Sequence, residues 1–328
     1  MTTTKMIYIA GYGRSGSTLM DILLGAHPKC FGGGELNHLF DDILSHRYCS
    51  CGDSYYVCPF WSNVLKGFQR KLPRMDYETA HFITTSNERL ISSRRNIRRY
   101  GMVWRALFEA LREQDALKTE VIVDSSKSSW KAWRRPFLVQ QCGTEVFGIH
   151  LVRDPRAVMF SVMKGSNRRM EAGENPRLVG GAVRGRLGWC LSNSLVENAK
   201  AFSTIPFMTL RYEDLVHDPA SELSRLADFL ALEMTPVIDR LALDAGFDGG
   251  HGVSGNRMRR RGTLRIRADD EWRRKLPPLL QLLSIAVLPL CRRYRYGIRK
   301  PMKLRRFGHG NSSCSSCPTR ADGSTALS

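Results

Sequence analysis

The sequence predicts an α/β fold in which helices flank a central parallel sheet. The first observation is a set of short apolar runs that are typical of buried strands: Met6–Ala10, Val121–Val123, Val146–Val152 and Phe207–Leu210. The second is that three of these runs lead through a turn into a helical pattern, as expected where strands and helices alternate in a parallel sheet. The third is the interval of about 110 residues between the first two runs, which must hold helical insertions because structureless loops of that length are uncommon.

Helix signals follow the runs in chain order. Ser17–Ala26 has a helical apolar pattern after the first run, and Arg156–Lys164 has one after the third. After the fourth run, Asp218 can cap a helix over Pro219–Leu230, because proline is favoured at the first helical position. Within the long interval, Val103–Gln114 predicts a further helix.

One domain is expected over residues 1–300, with a cysteine-containing insert at about 45–62 and a flexible C-terminal tail over 301–328. The tail is rich in Gly, Ser and Thr, and it has too few apolar residues to bury a core. The longest mostly apolar stretch, Pro277–Cys291, is short and interrupted by prolines. We expect a core helix there rather than a membrane span.

The chain is strongly basic, with 50 Lys and Arg against 31 Asp and Glu and a formal net charge of +19. This balance indicates an anionic partner: a nucleic acid, a membrane surface, or a phosphorylated or sulfated small molecule. Two arginine clusters stand out. The first, at 94–105, is expected to be a solvated helix face, whereas the second, at 257–274, surrounds glycines that indicate a loop.

The N-terminus runs directly into an apolar strand, without the basic segment, apolar core and cleavage site of a signal peptide. The chain has nine cysteines, and an odd number without a signal peptide favours a reducing compartment. We therefore expect a cytoplasmic protein.

A glycine-rich loop joins the first strand to the first helix. The backbone N–H groups of such a loop and the N-terminus of the helix bind anions such as phosphate. The pattern Gly11-x-Gly13-x-x-Gly16 matches a dinucleotide-binding fingerprint, and Glu35 lies near the expected position of its ribose-binding acid. However, the residues before Glu35 do not form the second apolar strand that this fold requires. As a Walker A loop it has Ser17 where a kinase needs Lys.

A third interpretation fits best. Arg14–Thr18 resembles the 5′-phosphosulfate loop of sulfotransferases that use 3′-phosphoadenosine 5′-phosphosulfate (PAPS), in which a Lys or Arg precedes a Ser-Gly-Ser/Thr-Thr/Ser run that opens a helix. The resemblance implies that Arg14 is the catalytic cation. It also implies a set of donor-binding residues: Gly13, Arg14, Ser15, Gly16, Ser17 and Thr18.

A second motif follows the third strand, where Arg153-Asp-Pro155 opens a helix that carries Ser161. A guanidinium and a hydroxyl placed in this way can converge on one phosphate. The pattern resembles the 3′-phosphate element of the same family. The two motifs in this order favour a sulfotransferase, and a small-molecule kinase or a basic nucleic-acid-binding protein are the alternatives.

The resemblance covers about residues 5–300 and is closer to bacterial and Golgi-type members than to the cytosolic phenol and steroid enzymes. Arg211–Leu215 resembles the family's Arg-Tyr-Glu-Asp-Leu segment, and 255–262 resembles the nucleotide-closing loop of bacterial relatives. Tyr212, Asn256 and Arg259 are therefore implied to bind the nucleotide. The implied fold is a P-loop-like, three-layer arrangement with a central parallel sheet.

An acceptor alcohol or phenol needs a general base to attack sulfur in line. Glu35 follows three glycines that allow close approach to a ligand, and its position matches the acidic base of bacterial and Golgi-type relatives. His38 is the alternative base. We expect no metal requirement, because side chains and helix dipoles can neutralise the leaving phosphate.

The acceptor is expected to be a small molecule, a carbohydrate or a lipid. No specific nucleic-acid partner is expected, while the basic surface would suit peripheral contact with a membrane.

A compact cysteine group, Cys49, Cys51 and Cys58, offers four zinc ligands together with His46. Its spacing matches no standard zinc module. A disulfide between Cys51 and Cys58 and plain free thiols are the other two alternatives.

Overall fold

The computed structural model of the chain describes residues 5–89, 93–114, 119–127, 132–165, 178–255, 259, 262–285 and 289–297. The strands are β1 (Lys5–Ala10), β2 (Cys30–Gly32), β3 (Val121–Asp124), β4 (Glu145–Val152) and β5 (Phe207–Arg211). They pair in parallel in the order β2-β3-β1-β4-β5. The predicted α/β fold with a parallel sheet is confirmed, and each of the four expected strands is one residue longer than its apolar run.

Strand β2 was not expected, because three residues that end in glycine carry too little apolar pattern to be recognised. The argument that Glu35 lacks a preceding strand was therefore wrong. The dinucleotide interpretation still fails, for a different reason. In that fold the second strand adjoins the first, whereas β3 separates β1 from β2 here.

The helices account for most of the remaining described residues. They are α1 (Ser17–Gly25), a 3₁₀ turn (Leu36–His38), α2 (Leu39–Leu44), α3 (Pro59–Lys71), α4 (Tyr77–Arg89), α5 (Arg94–Arg112), α6 (Arg135–Gln141), α7 (Pro155–Met163), α8 (Leu178–Phe202), α9 (Tyr212–His217), α10 (Pro219–Leu230), α11 (Thr235–Ala242), α12 (Glu271–Lys275), α13 (Pro278–Ile285) and α14 (Pro289–Arg293). The expected cap of α10 is present, since Asp218 accepts a hydrogen bond from the backbone N–H of Ser221 at 3.1 Å.

Alternation along β1 creates the three layers. Met6 and Tyr8 face a core built with α2 to α6, and Ile7 and Ile9 face a second core built with α1, α10 and α11. Successive side chains of a strand point to opposite faces, so a fully apolar strand needs helices on both sides.

Helix α5 begins nine residues before the expected start. Its first half is the arginine cluster at 94–105, whose arginines are exposed, as expected for a solvated face. This half lacks a strong apolar pattern, and the apolar stripe that packs α5 into the core starts at Tyr100.

The helix expected within Pro277–Cys291 is present as α13, but its placement in the core was wrong. Leu279, Leu282 and Leu283 of α13 are exposed, and Ser284 is its buried residue. Among the described residues, no helix is long and apolar enough to cross a membrane. The described residues belong to one compact unit, Met1–Gly297, and the tail expected at 301–328 lies outside them.

Candidate active site

A cavity of about 430 Å³ opens at the carboxyl ends of the strands, and residues that follow all five strands contribute to it. Its lining comprises Gly13, Arg14, Gly16, Ser17, Thr18, Leu19, Glu35, Lys127, Arg153, Ser161, Tyr212, Gly255, Arg265, Arg267 and Asp269. The carboxyl edge of the strands is where open α/β sheets bind their ligands. Volume and position both suit a small-molecule site.

The loop after β1 is shaped by residues with positive φ. Gly11 has φ 123°, and a side chain there would lie 2.4 Å from the carbonyl oxygen of Leu151. Gly16 has φ 94°, and a side chain there would collide with the ring of Tyr212 at 2.5 Å. Arg14 also adopts a left-handed φ of 72°, which is unusual for a residue with a side chain and is typical of functional loops.

The N-terminus of α1 forms one wall of the cavity. Gly16 is its capping residue and has no side chain to satisfy the first-turn N–H groups. Ser17 and Thr18 of the first turn line the cavity. The positive end of the helix dipole therefore faces the space where an anion would bind.

Arg153, directly after β4, also lines the cavity and is almost completely buried. Its guanidinium stacks on the ring of Tyr212, with 4.3 Å from Cζ to the ring centroid. One of its terminal nitrogens donates to the carbonyl of Arg14 at 3.1 Å, which ties the two basic elements together. Its Nε is buried and has no hydrogen-bond partner among the described residues.

The second terminal nitrogen of Arg153 donates to the carboxylate of Asp269 at 3.0 Å. Asp269 belongs to the segment 262–270 that precedes α12, and its side chain is half exposed. Arg265 and Arg267 of the same segment also line the cavity. A basic segment thus covers one side of the cavity and places a carboxylate on the guanidinium proposed to hold phosphate.

The turn between β4 and α7 is held rigid by polar contacts. Asp154 caps α7 by accepting from the backbone N–H of Arg156 at 2.9 Å, and its own N–H donates to Glu213 at 2.9 Å. Glu213 also accepts from the hydroxyl of Tyr296 at 2.7 Å. Ser161, further along α7, also lines the cavity.

Glu35 is positioned by its backbone. Its N–H donates to the carbonyl of Val253 at 2.9 Å, and the N–H of Gly33 donates to Val123 at 2.9 Å. Gly34 has φ 74°, and a side chain there would lie 2.3 Å from the carbonyl oxygen of Val253. This close approach explains why the carboxylate is preceded by glycines.

The carboxylate of Glu35 accepts a hydrogen bond from Nζ of Lys127, and Nε2 of His38 lies 3.8 Å from its other oxygen. Burial by itself would raise the pKa of Glu35, but the charges of Lys127, His38 and Arg259 outweigh burial and hold the pKa below its usual range. Glu35 is therefore a carboxylate at neutral pH. It does not cap the following 3₁₀ turn through its side chain.

Most site residues named from the sequence meet in the cavity. Lining it are Gly13, Arg14, Gly16, Ser17, Thr18, Glu35, Arg153, Ser161 and Tyr212. Ser15 is buried instead, and its hydroxyl has no partner within the described part of the chain. His38 does not line the cavity. Arg259 is buried in an ion pair with Asp21 and donates to Gly249, and Asn256 lies outside the described residues.

Six residues that line the cavity were not named as site residues from the sequence: Leu19, Lys127, Gly255, Arg265, Arg267 and Asp269. For Lys127 a signal existed, since Ser125-Ser126-Lys127 follows β3 where the other strands carry site residues. For Asp269 no local signal was available, because its contact with Arg153 spans 116 positions.

The fold and the cavity define a P-loop-like protein with an anion site at the carboxyl edge of a parallel sheet. The chain belongs to the sulfotransferase family, whose family model matches residues 6–236. This confirms the resemblance seen in the two motifs. The kinase and nucleic-acid-binding alternatives are not favoured.

Two curated relatives are carbohydrate sulfotransferase 6 of Homo sapiens, 26% identical over 148 residues, and carbohydrate sulfotransferase 5 of Mus musculus, 25% identical over 143 residues. Each match covers 39% of this chain and 36% of the relative. The match thus spans about a third of the length of these relatives.

Two solved structures are similar in fold. The sulfotransferase domain from the curacin biosynthetic pathway is 20% identical with a TM-score of 0.50, over 91% of this chain and all of that domain. The sulfotransferase domain of the Synechococcus PCC 7002 olefin synthase is 20% identical with a TM-score of 0.48, over 91% of this chain and 97% of that domain.

Proposed function

We propose that this protein transfers a sulfuryl group from PAPS to a hydroxyl or amine of an acceptor. The observation that supports the proposal most strongly is the meeting of two anion-binding elements and one carboxylate in a single cavity. The loop of Arg14 and the N-terminus of α1 form the first element, and Arg153 with Ser161 forms the second. Glu35 lies in the same cavity.

The residues fit this donor. A cavity of about 430 Å³ is within the usual size of small-molecule sites. The uncapped N-terminus of α1 and the guanidinium of Arg153 both line the cavity, which supports their binding phosphate oxygens. In the proposal, Gly13 to Thr18 hold the 5′-phosphosulfate, while Arg153, Ser161 and Tyr212 hold the 3′-phosphate and nucleotide.

The donor supplies the sulfuryl group, which passes to the acceptor as adenosine 3′,5′-bisphosphate leaves. In the proposal, Arg14 and the loop N–H groups stabilise negative charge on the leaving phosphate. Lys127 adds a second cation at the Glu35 end of the cavity. We propose that these groups supply the neutralising charge and that the transfer itself uses no metal.

Glu35 is the proposed general base, accepting the acceptor's proton. It lines the cavity and is ionised at neutral pH, as a base must be. His38 lies behind it and is proposed to support the carboxylate rather than to act on the acceptor.

We propose a carbohydrate or another small hydroxylated molecule as acceptor, since the curated relatives are named carbohydrate sulfotransferases. The names of these relatives favour a carbohydrate acceptor over a lipid acceptor. Transfer of radiolabel from PAPS to a panel of sugars, lipids and phenols would identify the acceptor class.

Calorimetry tests the donor. Adenosine 3′,5′-bisphosphate should bind well, and 5′-AMP and ATP should bind poorly, because only the first presents a 3′-phosphate to Arg153. Equal binding of 5′-AMP would contradict the 3′-phosphate site. Tight binding to any DNA duplex with a steep salt dependence, without turnover of PAPS, would support the nucleic-acid alternative instead.

A further inference from the structure

A second cluster of reactive side chains lies outside the cavity. Cys49, Cys51, Cys58 and His251 each bring one ligand atom into a group in which all four atoms lie within 4.8 Å of one another. His251 is separated from the cysteines by about 200 positions, so only the fold brings it to them. The sequence suggested His46 as the fourth zinc ligand, but the histidine beside the cysteines is His251, and His46 is exposed.

Two of the distances between these ligand atoms equal the edges of a tetrahedral zinc site, and a third is slightly shorter. With Zn–S near 2.3 Å and Zn–N near 2.0–2.1 Å, the edges of a zinc tetrahedron are about 3.6–3.8 Å. Cys51 Sγ and Cys58 Sγ are 3.6 Å apart, and Cys49 Sγ is 3.7 Å from Nδ1 of His251. Cys58 Sγ is 3.3 Å from the same nitrogen.

We propose that Cys49, Cys51, Cys58 and His251 bind one zinc ion in a closed Cys₃His site. Four nitrogen and sulfur ligands without an open position are typical of structural rather than catalytic zinc. The ion would therefore take no part in sulfuryl transfer, and the proposal is independent of the function proposed above.

Neighbouring residues hold the proposed zinc ligands in position. The ring of His251 stacks on Phe60 with centroids 5.1 Å apart and an interplanar angle of 13°, which fixes its orientation. The carbonyl of His251 accepts from the indole N–H of Trp61 at 2.6 Å. Cys58 is the buried N-cap residue of α3, so its position is fixed by the start of that helix.

A disulfide explains the cluster less well. Sulfur atoms in a disulfide are about 2.05 Å apart, whereas Cys51 and Cys58 are at 3.6 Å. A disulfide would also use two of the three thiols and leave His251 without a ligand role. Cys51 is exposed, which offers an entry route for an ion.

The site would join two segments that support the cavity. Two residues after His251, Val253 accepts the backbone hydrogen bond of Glu35 and donates to the carbonyl of Gly33 at 2.8 Å. Gly255 lines the cavity itself. A zinc ion at His251 would therefore anchor the segment whose Val253 forms the backbone hydrogen bond with Glu35.

Zinc content of the full chain, purified under reducing conditions and supplied with zinc, is the first test. Mass spectrometry of the metal should give one zinc per chain, and cobalt substitution should give the visible absorption of tetrahedral thiolate coordination. Cys51→Ser and His251→Ala should each lower zinc affinity at least tenfold. The matched control Cys142→Ser, outside the cluster, should keep one zinc.

The C-terminal segment contains a Cys314-x-x-Cys317 pair that could also bind zinc. The double variant Cys314→Ser, Cys317→Ser removes that pair and should still keep one zinc, held by the cluster. Zinc loss in this variant would overturn the proposal, as would a Cys51–Cys58 disulfide in freshly isolated protein. If a cluster variant does not fold, the cobalt-substituted wild-type protein provides the test. A spectrum without thiolate-to-cobalt charge-transfer absorption would reject the site. Binding of adenosine 3′,5′-bisphosphate is measured in parallel, so failure of the donor proposal is seen separately.

Discussion

Lys127 donates a hydrogen bond from Nζ to the carboxylate of Glu35, joining the residue that follows β3 to the segment that follows β2. The side chains are 17% and 19% exposed, so the pair is shielded from water and open to the cavity. Shielding strengthens the attraction between opposite charges. The pair keeps Glu35 ionised and at the same time places a cation beside the proposed transfer point.

Glu35→Gln should lower turnover by about 10²–10⁴-fold, because glutamine keeps the shape and can still accept a hydrogen bond from Lys127 but cannot take a proton. Affinity for adenosine 3′,5′-bisphosphate, measured by calorimetry, should change little. His38→Ala is the matched control and should reduce turnover far less. If the two variants show the reverse order, His38 is the base.

Lys127→Met should shift the acidic limb of the pH profile of kcat/KM to higher pH. In the wild type the cation of Lys127 opposes the effect of burial and lowers the pKa of Glu35. Without it, burial dominates and the pKa rises, so the carboxylate becomes protonated at a higher pH. A variant with lower activity but an unshifted acidic limb would show that Lys127 does not set the charge of Glu35.

Arg153→Ala should weaken binding of PAPS and of adenosine 3′,5′-bisphosphate by about 1.5–3 kcal/mol, or about 10- to 150-fold, because a charge-assisted contact is lost. Binding of 5′-AMP should hardly change, since it has no 3′-phosphate.

The Asp269→Asn variant should bind both nucleotides more tightly. It removes a half-exposed carboxylate that competes for the guanidinium, and affinity should rise about 2- to 5-fold.

Calorimetric titration of both variants with the two nucleotides provides the measurement. An Arg153→Ala variant with unchanged affinity and collapsed turnover would mean that Arg153 acts on the reaction rather than on the 3′-phosphate. Weaker binding in Asp269→Asn would mean that Asp269 orients Arg153 and does not compete with the ligand.

Arg135→Met should destabilise the protein by about 3–5 kcal/mol, because it leaves two buried carboxylates without the cation that neutralises them. Arg135 is fully buried, donating to Asp124 at 2.5 Å and to Glu88 at 2.6 Å, and it stacks on Trp104 at 3.6 Å. Urea denaturation measures the free energy of unfolding. Arg135→Met with Glu88→Gln should recover part of the loss, whereas a loss below about 1 kcal/mol would show that the network contributes little.

The sequence by itself determined four of the five strands, the two anion-binding motifs and the family. Each apolar run, such as Val146–Val152, carries its signal in consecutive residues, and the loop of Arg14 and the turn of Arg153 are local patterns of strand, turn and helix. Properties encoded within a few neighbouring positions can be predicted without a fold. Glu35 was also found in this way, from the glycines that precede it.

Only the tertiary structure decided which side chains act on one another. The pairing of Lys127 with Glu35 spans 92 positions, that of Arg153 with Asp269 spans 116, and His251 reaches Cys58 across 193. Strand β2 likewise exists because β3 offers it a partner, not because its three residues favour a strand. Hydrogen bonds, ion pairs and metal ligands act over a few ångströms in space, and local periodicity says nothing about which distant segments the packed sheet brings within that range.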